Sequence, residues 1–279
     1  FNFGADFDEH VVDRYVDAHA AGVTPNPCIE CNRSIKFSRL LQRADLLGFD
    51  AVATGHHARL GRGADGSFAL ERGADAAKDQ SYVVHMLDQA TLARTMFPVG
   101  DLDKERVRSI AAELGLRTAD KPDSQDVCFI TSTGGRETFL GDRIPFRSAE
   151  VVDTAGQRLG RVEAVEMVTL GQRRGLGLGG GPWFVVAKEP STDTVWVAHG
   201  DGLSDLQQGR FVLRAVRSTS RIPLLEGHGL ARVRHGGALV PATWNPSAAV
   251  PDAPEVSLAR PAAGLAAGPS IVPARGARS

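Results

Sequence analysis

The residue types best suited to chemistry in this chain are its three cysteines. Cys28 and Cys31 form a Cys-x-x-Cys pair, and Cys128 lies far from them in the sequence. Such a pair is typical of a redox dithiol, or of half a zinc site that Cys128 and a histidine such as His56 or His57 would have to complete. Unreactive buried cysteines are the common alternative. The spacing by itself leaves these three interpretations open.

Position favours reactivity at one of the cysteines. Cys31 lies just before a predicted helix, and Arg33 and Lys36 follow it closely. Because unpaired backbone N–H groups and nearby cations stabilise a thiolate, we expect a reactive sulfur at Cys31. Cys128 follows a polar loop over 116–127, which would let its thiol move between an external sulfur donor and Cys31. A core cysteine at the start of a strand fits Cys128 equally well.

Two glycine-containing motifs are candidate ligand sites. Residues 54–57 (Thr-Gly-His-His) close a short apolar segment that predicts a buried strand. Ligands of open α/β sheets bind at the carboxyl ends of strands, and Gly55 would let the backbone approach a nucleotide. The Gly-x-Gly-x-x-Gly sequence over 175–180 has polar residues before it and a strand-like segment after it. It therefore predicts a loop or hairpin, not a dinucleotide site.

The elements that would position these residues alternate between helix and strand over residues 1–134, which is typical of a parallel α/β sheet. Apolar spacing, glycines and capping residues indicate their boundaries. We expect a helix over 37–47 ending at Gly48, a strand over 49–54, a hairpin over 58–72, and helices over 81–96 and from Asp103 to Gly115. The polar segment over 116–127 is predicted to be an exposed loop.

After Gly134 and Gly135 the pattern changes to short β-branched or aromatic segments separated by turn residues. This predicts a hairpin-rich region to about Asp205 and a further β-rich region after it. The tail beyond Val240 holds seven of the chain's 15 prolines. Because proline cannot donate to a strand ladder, this composition leaves the tail weakly specified.

The composition is that of an ordinary globular protein. Of 279 residues, 42% are apolar and 23% charged, which argues against global disorder. With 32 basic and 33 acidic residues the formal charge is −1, so a polyanionic partner has to be met by a local basic patch. Three cysteines are too few for a secreted disulfide scaffold, which favours a reducing cytosol, and no apolar run approaches the roughly 20 residues that span a bilayer. The chain begins at Phe1, so we expect a piece of a longer protein.

Several collinear segments together resemble the tRNA-specific 2-thiouridylase family. They cover most of residues 10–190, and they are TPNPCIECNRSIKF, FDAVATGHHAR, KDQSYVVHML, FPVGDLDKERVRSIAAELGL, DSQDVCFI and TLGQRRGLGLGGG. The resemblance implies an α/β adenine-nucleotide alpha-hydrolase-like (Rossmann-like) catalytic domain over 1–134. A small β-rich central domain over 135–205 and a C-terminal β-barrel domain over 206–279 are expected to follow.

The resemblance also implies ATP-dependent sulfur transfer to the C2 position of the wobble uridine of tRNA, giving 2-thiouridine. In the family, ATP with Mg²⁺ adenylates the C2 oxygen, and a protein persulfide then supplies the sulfur. By motif, Cys128 matches the cysteine that carries the persulfide, which a sulfur-carrier protein or a cysteine desulfurase would load. Cys31 matches the other catalytic cysteine, which either releases hydrosulfide from the persulfide or attacks it directly, ending as a Cys31–Cys128 disulfide.

Binding roles follow from the same resemblance. Gly55 matches a nucleotide contact, and the family can have Asp at the position of Cys28, so Cys28 is not expected to be catalytic. tRNA is the implied partner of a cytoplasmic, monomeric protein that needs no metal ligands and no membrane. The residues that match tRNA contacts are Asn26, Pro27 and Cys28 beside the target base, His56, the loop residues Lys78, Asp79 and Gln80, and Arg232 and Arg234 in the last domain.

The chain departs from the family at both ends. The family's phosphate loop, Ser-Gly-Gly-Val-Asp-Ser, is expected before the first segment and is absent, so we expect this chain alone to bind ATP poorly. Pro269 stands where a glutamine near the tRNA is expected. An alternative from a different class is a non-enzymatic zinc- or RNA-binding module that uses Cys28, Cys31, Cys128 and His56 and carries about one zinc per chain.

Overall fold

The first part of the chain is helical around a small parallel pairing. A computed structural model describes residues 1–63, 65–122, 127–130, 134–200, 208–213, 216, 226–232, 238–248, 250, 253–262 and 272–274. Helix α1 consists of the consecutive segments Gly4–Phe7, Asp8–Asp13 and Arg14–Ala20, and helix α2 of Pro27–Glu30, Cys31–Arg39 and Leu40–Leu46. The middle segment of each is π-helical. Gly48, at φ +75°, ends α2 where the sequence predicts a stop.

Strand β1 (Val52–Ala53) pairs in parallel with β4 (Thr95–Met96). The segment that follows β1 in the sequence forms a separate antiparallel hairpin of β2 (Ala58–Arg62) and β3 (Phe68–Arg72). The predicted hairpin is therefore confirmed. The predicted strand over 49–54 is confirmed only at its centre, because Phe49 is exposed and Val52 is the first residue paired to β4.

The predicted helix over 81–96 is wrong. A 3₁₀ turn (Ser81–Val83) is followed by a short helix α3 (Gln89–Ala93) and then by β4. The Asp88 side chain accepts a hydrogen bond from the Thr91 amide at 2.8 Å and so starts a new helix. The chain beyond α3 pairs with β1 instead of continuing the helix. Tertiary pairing overrides the helical periodicity here.

Helix α4 (Lys104–Glu113) agrees with its prediction. Asp103 caps it by accepting a hydrogen bond from the Arg106 amide at 2.7 Å, and Gly115, at φ +65°, follows its end. The core of this part lies between α2, the hairpin and α3. It consists of Ile29, Phe37, Ala58, Val83, Val84, Met86, Leu87 and Leu92.

Beyond helix α5 (Arg136–Gly141) the described chain is built mainly from strands. A four-stranded sheet has the order β6-β5-β8-β7 and packs over Val151, Val165 and Val197. Its strands are β5 (Ala149–Asp153), β6 (Arg158–Val162), β7 (Trp183–Glu189) and β8 (Thr194–His199). The glycine-rich segment over 175–180 is a turn region before β7, with Leu176 buried in this core. The predicted hairpin-rich region is confirmed.

The last part forms a five-stranded sheet of order β13-β10-β11-β12-β9. Its strands are β9 (Gln208–Val212), β10 (Gly227–Arg232), β11 (Val240–Pro246), β12 (Pro254–Ala262) and β13 (Val272–Ala274). The proline-rich tail thus contributes three strands, which its composition alone does not specify. Arg234 and Pro269 lie outside the described residues.

The order of an α/β part followed by β-rich parts agrees with the predicted fold class, whereas the domain boundaries at 134 and 205 stay predictions. Within the described part of the chain, no helix is both long and apolar enough to cross a membrane.

Candidate functional site

Two of the cysteines lie on the first turns of helix α2. The Asn26 side chain caps this helix by accepting a hydrogen bond from the Cys28 amide at 3.1 Å, and Pro27 occupies the first helical position, which suits proline. Cys28 is therefore the second residue of the helix and Cys31 the fifth. Residues three apart lie on the same face of a helix, so the two thiols face the same side.

The prediction that Cys31 lies just before a helix is wrong, because the cap at Asn26 starts the helix a full turn earlier. Burial raises the pKa of the Cys31 thiol above its ordinary value, Lys36 opposes this shift, and the charges of Cys128 and Cys28 add to it. Arg33 contributes no comparable effect, since it pairs with Glu30 at 3.1 Å. The expected low-pKa thiolate at Cys31 is therefore not supported.

Cys128 lies in a turn whose following residues pack into the core. Its neighbour Ile130 is fully buried in a cluster with Tyr15 and Phe139, while the Cys128 side chain is exposed. A charge on Cys128 raises the pKa of both Cys28 and Cys31, so the three sulfurs occupy one region of the molecule. All three cysteines are reduced.

The zinc arrangement that the alternative interpretation requires is not formed by these residues. Within the described ranges, no three of the His, Cys, Asp and Glu side chains lie where they could hold one metal ion.

The end of strand β1 lies next to the cysteine-bearing helix. Gly55 is exposed, and a Cβ added to it would meet no atom within 4 Å, so the space above its backbone is open to a ligand. His56 is buried, and its Nδ1 lies 2.9 Å from Thr54 Oγ1. Its ring packs against those of Phe37 and Phe97 at centroid distances of 5.9 and 6.0 Å.

Burial, together with the positive charges of Lys36 and His57, lowers the pKa of His56 to about 4. The imidazole is therefore neutral at pH 7 and offers no positive charge to a phosphate. Because Lys36 acts on both His56 and Cys31, the thiol face of α2 and the end of β1 belong to one site.

The loop Lys78–Gln80 is fastened beside this site. The Gln80 side chain accepts a hydrogen bond from the His57 amide at 3.1 Å, and the Gln80 amide donates to the His57 carbonyl at 2.9 Å. Asp79 is buried, with only 4% of its surface exposed, and accepts from the amides of Gly73 and Ser81. Of the loop's side chains, that of Lys78 is exposed.

Arg232, the last residue of β10, reaches the same loop from the C-terminal sheet. Its guanidinium lies 3.7 Å from Asp79 Oδ2. Arg72 donates to the same oxygen at 3.2 Å. The structure thus brings Arg232 into contact with the loop that holds Asp79, whereas Arg234 lies outside the described residues.

Two residues at this site are not found by sequence reasoning. Asn32 follows Cys31, is 1% exposed, and donates from Nδ2 to the Val83 carbonyl at 2.9 Å. It fastens the cysteine-bearing turn to the segment after the loop. Arg72 is the second. Neither carries a sequence signal, because a single polar residue in a helix and a basic residue ending a strand are both ordinary.

Comparisons with known proteins identify relatives of this chain. A family model described as tRNA methyl transferase HUP domain matches residues 1–132, and one described as tRNA methyl transferase PRC-barrel domain matches residues 137–199. These two domains agree with the predicted fold class.

Curated proteins named tRNA-specific 2-thiouridylase MnmA are similar over most of the chain. The one from Rhodococcus jostii (strain RHA1) is 44% identical over 278 residues, which are 98% of this chain and 73% of that protein. The one from Salinispora arenicola (strain CNS-205) is 44% identical over 95% of this chain and 73% of its own length. The one from Chloroflexus aurantiacus (strain ATCC 29366 / DSM 635 / J-10-fl) is 47% identical over 207 residues, and the match spans only 57% of its length.

Proposed function

This chain belongs to the tRNA-specific 2-thiouridylase MnmA family, and from that membership we propose that it serves ATP-dependent sulfur transfer to C2 of the wobble uridine of tRNA. The observation that supports the proposal is that the charge of Cys128 raises the pKa of the Cys31 thiol, which requires the two sulfurs to lie in one region, and that the end of β1 is open at Gly55. A sulfur relay needs two thiols that can reach each other and a nucleotide-activated substrate next to them. We assign Cys31 and Cys128 to the first requirement and the space over Gly55 to the second.

The nucleotide part of the proposal rests on Gly55. The open space over its backbone, at the carboxyl end of a parallel strand, suits a nucleotide. ATP, with Mg²⁺, would supply the adenylyl group that turns the C2 oxygen of the uridine into a leaving group. His56 is neutral and fixed by Thr54, so it shapes the site and does not transfer a proton at neutral pH.

The two cysteines divide the sulfur chemistry. Cys128 is exposed and can receive a sulfane sulfur from a cysteine desulfurase or a sulfur-carrier protein. Transfer of its terminal sulfur to C2 needs two electrons, which the Cys31 thiolate provides by bonding to the Cys128 sulfur. The products are 2-thiouridine, the released adenylyl group and a Cys31–Cys128 disulfide, which a thiol reductant must open before the next turnover.

The tRNA part of the proposal rests on the residues around the thiols. Three residues at the start of α2 precede Cys31, and we assign them to the target base: Asn26, Pro27 and Cys28. Because Cys31 is half-buried, the uridine has to leave its base stack to reach it. Lys78 and Arg232 supply positive charge for the backbone, and Arg234 is assigned with them. A monomer in the cytoplasm completes the proposal.

The test is 2-thiouridine formation on unmodified tRNA with ATP, Mg²⁺, cysteine and a cysteine desulfurase, read out by mass spectrometry of nucleosides. The assay is run with this chain and with the chain extended at its N-terminus by the expected phosphate-loop segment. We expect Cys31→Ser and Cys128→Ser to lower the rate by more than about 100-fold. Cys28→Asp, the matched control on the same helical face, should keep most of the activity.

Two results would overturn the proposal. One is product formation by Cys31→Ser or Cys128→Ser at the unsubstituted rate. The other is an inactive extended protein that binds about one zinc per chain, which would favour the binding-module alternative. No observation in the structure favours that alternative at present.

A further inference from the structure

A buried carboxylate lies where the C-terminal sheet meets the Lys78–Gln80 loop. Both oxygens of Asp79 are engaged: Oδ1 accepts from the backbone amides of Gly73 at 3.2 Å and Ser81 at 3.1 Å. Oδ2 accepts from Arg72 at 3.2 Å and faces Arg232 at 3.7 Å. With 4% of its side chain exposed, Asp79 has no surface left for RNA. A carboxylate would also repel a phosphate, so direct contact with tRNA is unfavourable on both counts.

Asp79 carries one negative charge, and two positively charged side chains lie against it. Arg72 comes from the end of β3 and Arg232 from the end of β10, so one carboxylate is shared by two guanidinium groups from different parts of the chain. Arg232 is 19% exposed, and its Nε is buried without a hydrogen-bond partner among the described residues. Asp79, at 3.7 Å, does not saturate the donors of this guanidinium, and a phosphate would have to reach it at the exposed part of the side chain.

Other charged side chains surround this group. Glu71, the neighbour of Arg72, lies 3.7 Å from Arg59. Asp75 keeps its negative charge, because the amides of Ala77 and Lys104 that donate to it at 3.0 and 3.1 Å are neutral. The cationic character of the junction is therefore confined to the two arginines that share Asp79.

We propose that Asp79 is a positioning residue that does not touch tRNA, and that it holds Arg72 and Arg232 as one phosphodiester-binding site built from the catalytic part and the C-terminal sheet. This inference rests on the proposed function and deepens it by naming Arg72 as a tRNA contact and by giving Asp79 a different role from its loop neighbours. The site reads no base, because guanidinium groups on phosphates set register and orientation.

The first test is the affinity for unmodified tRNA, measured by fluorescence anisotropy over a series of salt concentrations. Arg72→Gln and Arg232→Gln should each weaken binding by about 5- to 10-fold and lower the salt slope by about one. Asp79→Asn removes a negative charge and keeps an acceptor for the two amides, yet it should also weaken binding, by about 5-fold. Arg210→Gln removes an exposed arginine of β9 in the same sheet, one that pairs with Glu255, and as the matched control it should change little.

The decisive comparison adds Asp79→Asn to the double variant Arg72→Gln/Arg232→Gln. If Asp79 acts only through these two arginines, the triple variant should bind no more than about twofold more weakly than the double variant. Arg232→Lys, which keeps the charge but not the planar fork, should recover part of the loss. Tighter or unchanged binding by Asp79→Asn, or a further multiplying loss when Asp79→Asn is added to the variant that lacks both arginines, would overturn the inference while leaving the proposed function intact.

A second readout does not depend on RNA. In urea unfolding, Asp79→Asn and Arg232→Gln should be non-additive, because each residue's contribution requires the other. Additive effects would overturn the inference that Asp79 holds Arg232 in place. Failure of the proposed function has a different pattern: the unsubstituted protein would then bind tRNA no better than it binds a random RNA of equal length, and the RNA part of the inference would fall with it.

Discussion

The protonation state of Cys31 depends on opposing local effects. Burial raises the pKa of its thiol and Lys36 lowers it, so the reactive thiolate is a minor form at neutral pH until the surroundings change. A bound polyanion, a persulfide on Cys128 or a displaced segment would each alter this balance. Lys36 is therefore the residue through which the electrostatics of the site can be tested.

We expect Lys36→Gln to slow the alkylation of Cys31 by iodoacetamide at pH 7.5 by about threefold, measured in a Cys28→Ser/Cys128→Ser background. Loss of the cation raises the thiol pKa further, so less thiolate is present at a given pH. Arg33→Gln is the matched control, because Arg33 pairs with Glu30 and does not act on the thiol. Equal slowing by both substitutions would contradict the assignment to Lys36.

His56 makes the stability of the α/β part sensitive to acid. Its pKa is about 4 in the folded chain and near 6.5 when unfolded, so the unfolded state binds the proton first. The contribution of neutral His56 is present in full above pH 6.5 and is lost as the pH falls towards 4. Between pH 7.5 and 5.0 the loss is about 1 to 2 kcal/mol.

Urea unfolding followed by the helical circular-dichroism signal measures this difference. We expect the free energy of unfolding to fall less between pH 7.5 and 5.0 in His56→Gln than in the unsubstituted protein. His228→Gln changes an exposed histidine of β10 and should keep the full pH dependence. An unchanged pH dependence in His56→Gln would show that other groups carry it, with the buried His19 and the half-buried His85 first among them.

At the scale of single residues, the sequence selects candidate site residues but does not predict what surrounds them. The pattern selects Cys31, Asp79 and His56, but not that Cys31 lies inside a helix or that the other two are buried. Burial and partners arise from contacts between distant segments, such as Asp79 with Arg232, which no local pattern contains.

Among the elements, the turn before Asp101 shows how closely the α/β part is packed. Gly100 lies against the first residue of β2, and a Cβ added to it would stand 1.9 Å from the Ala58 carbonyl oxygen. Its own carbonyl accepts from the Ala74 amide at 2.9 Å. The turn therefore ties β2 to the segment after β3, which leads into the Lys78–Gln80 loop.

Gly100→Ala should destabilise the protein by about 3 kcal/mol or prevent soluble expression, because the contact is with backbone and cannot move away. Gly179→Ala, where an added Cβ meets nothing within 4 Å, should cost less than about 0.5 kcal/mol. Thermal and urea unfolding of the two variants make the comparison. Equal stabilities would mean that the hairpin can shift as a unit.

Elements with their own local signals are the ones that the sequence predicts. Helix α4 has a capping aspartate and a terminal glycine, and the hairpin over 58–72 has alternating strands around a turn. The segment over 81–96 has helical periodicity, but its last residues pair with β1 across the fold. The strands of the C-terminal tail, rich in proline, are likewise specified by their partners.

The arrangement of the whole molecule depends on contacts that join the α/β part to the central sheet. His19 of α1 is 1% exposed, and its Nδ1 lies 3.2 Å from the Glu166 carbonyl oxygen. The Glu166 carboxylate, 2% exposed, accepts from the backbone amide and the Nε of Arg147 at 3.1 and 2.9 Å. Burial lowers the pKa of the neighbouring Lys188 to about 8, and the charge of Glu166 opposes that shift.

Glu166→Gln tests how much the buried Glu166 carboxylate contributes to stability. The substitution leaves the Arg147 and Lys188 cations without their buried counterion, and breaking a buried pair in this way costs several kcal/mol. Because the Arg147 side chain is 42% exposed, water screens part of the effect, and we expect a loss of about 2 to 3 kcal/mol in urea unfolding. Loss of the carboxylate should also lower the pKa of Lys188 further, so the loss in free energy of unfolding should be larger at pH 7 than at pH 9.

The matched control is Glu150→Gln, which breaks an exposed pair with Arg158 in the central sheet and should cost less than about 1 kcal/mol. A Glu166→Gln protein as stable as Glu150→Gln at both pH values would mean that the buried carboxylate contributes no more to stability than an exposed one.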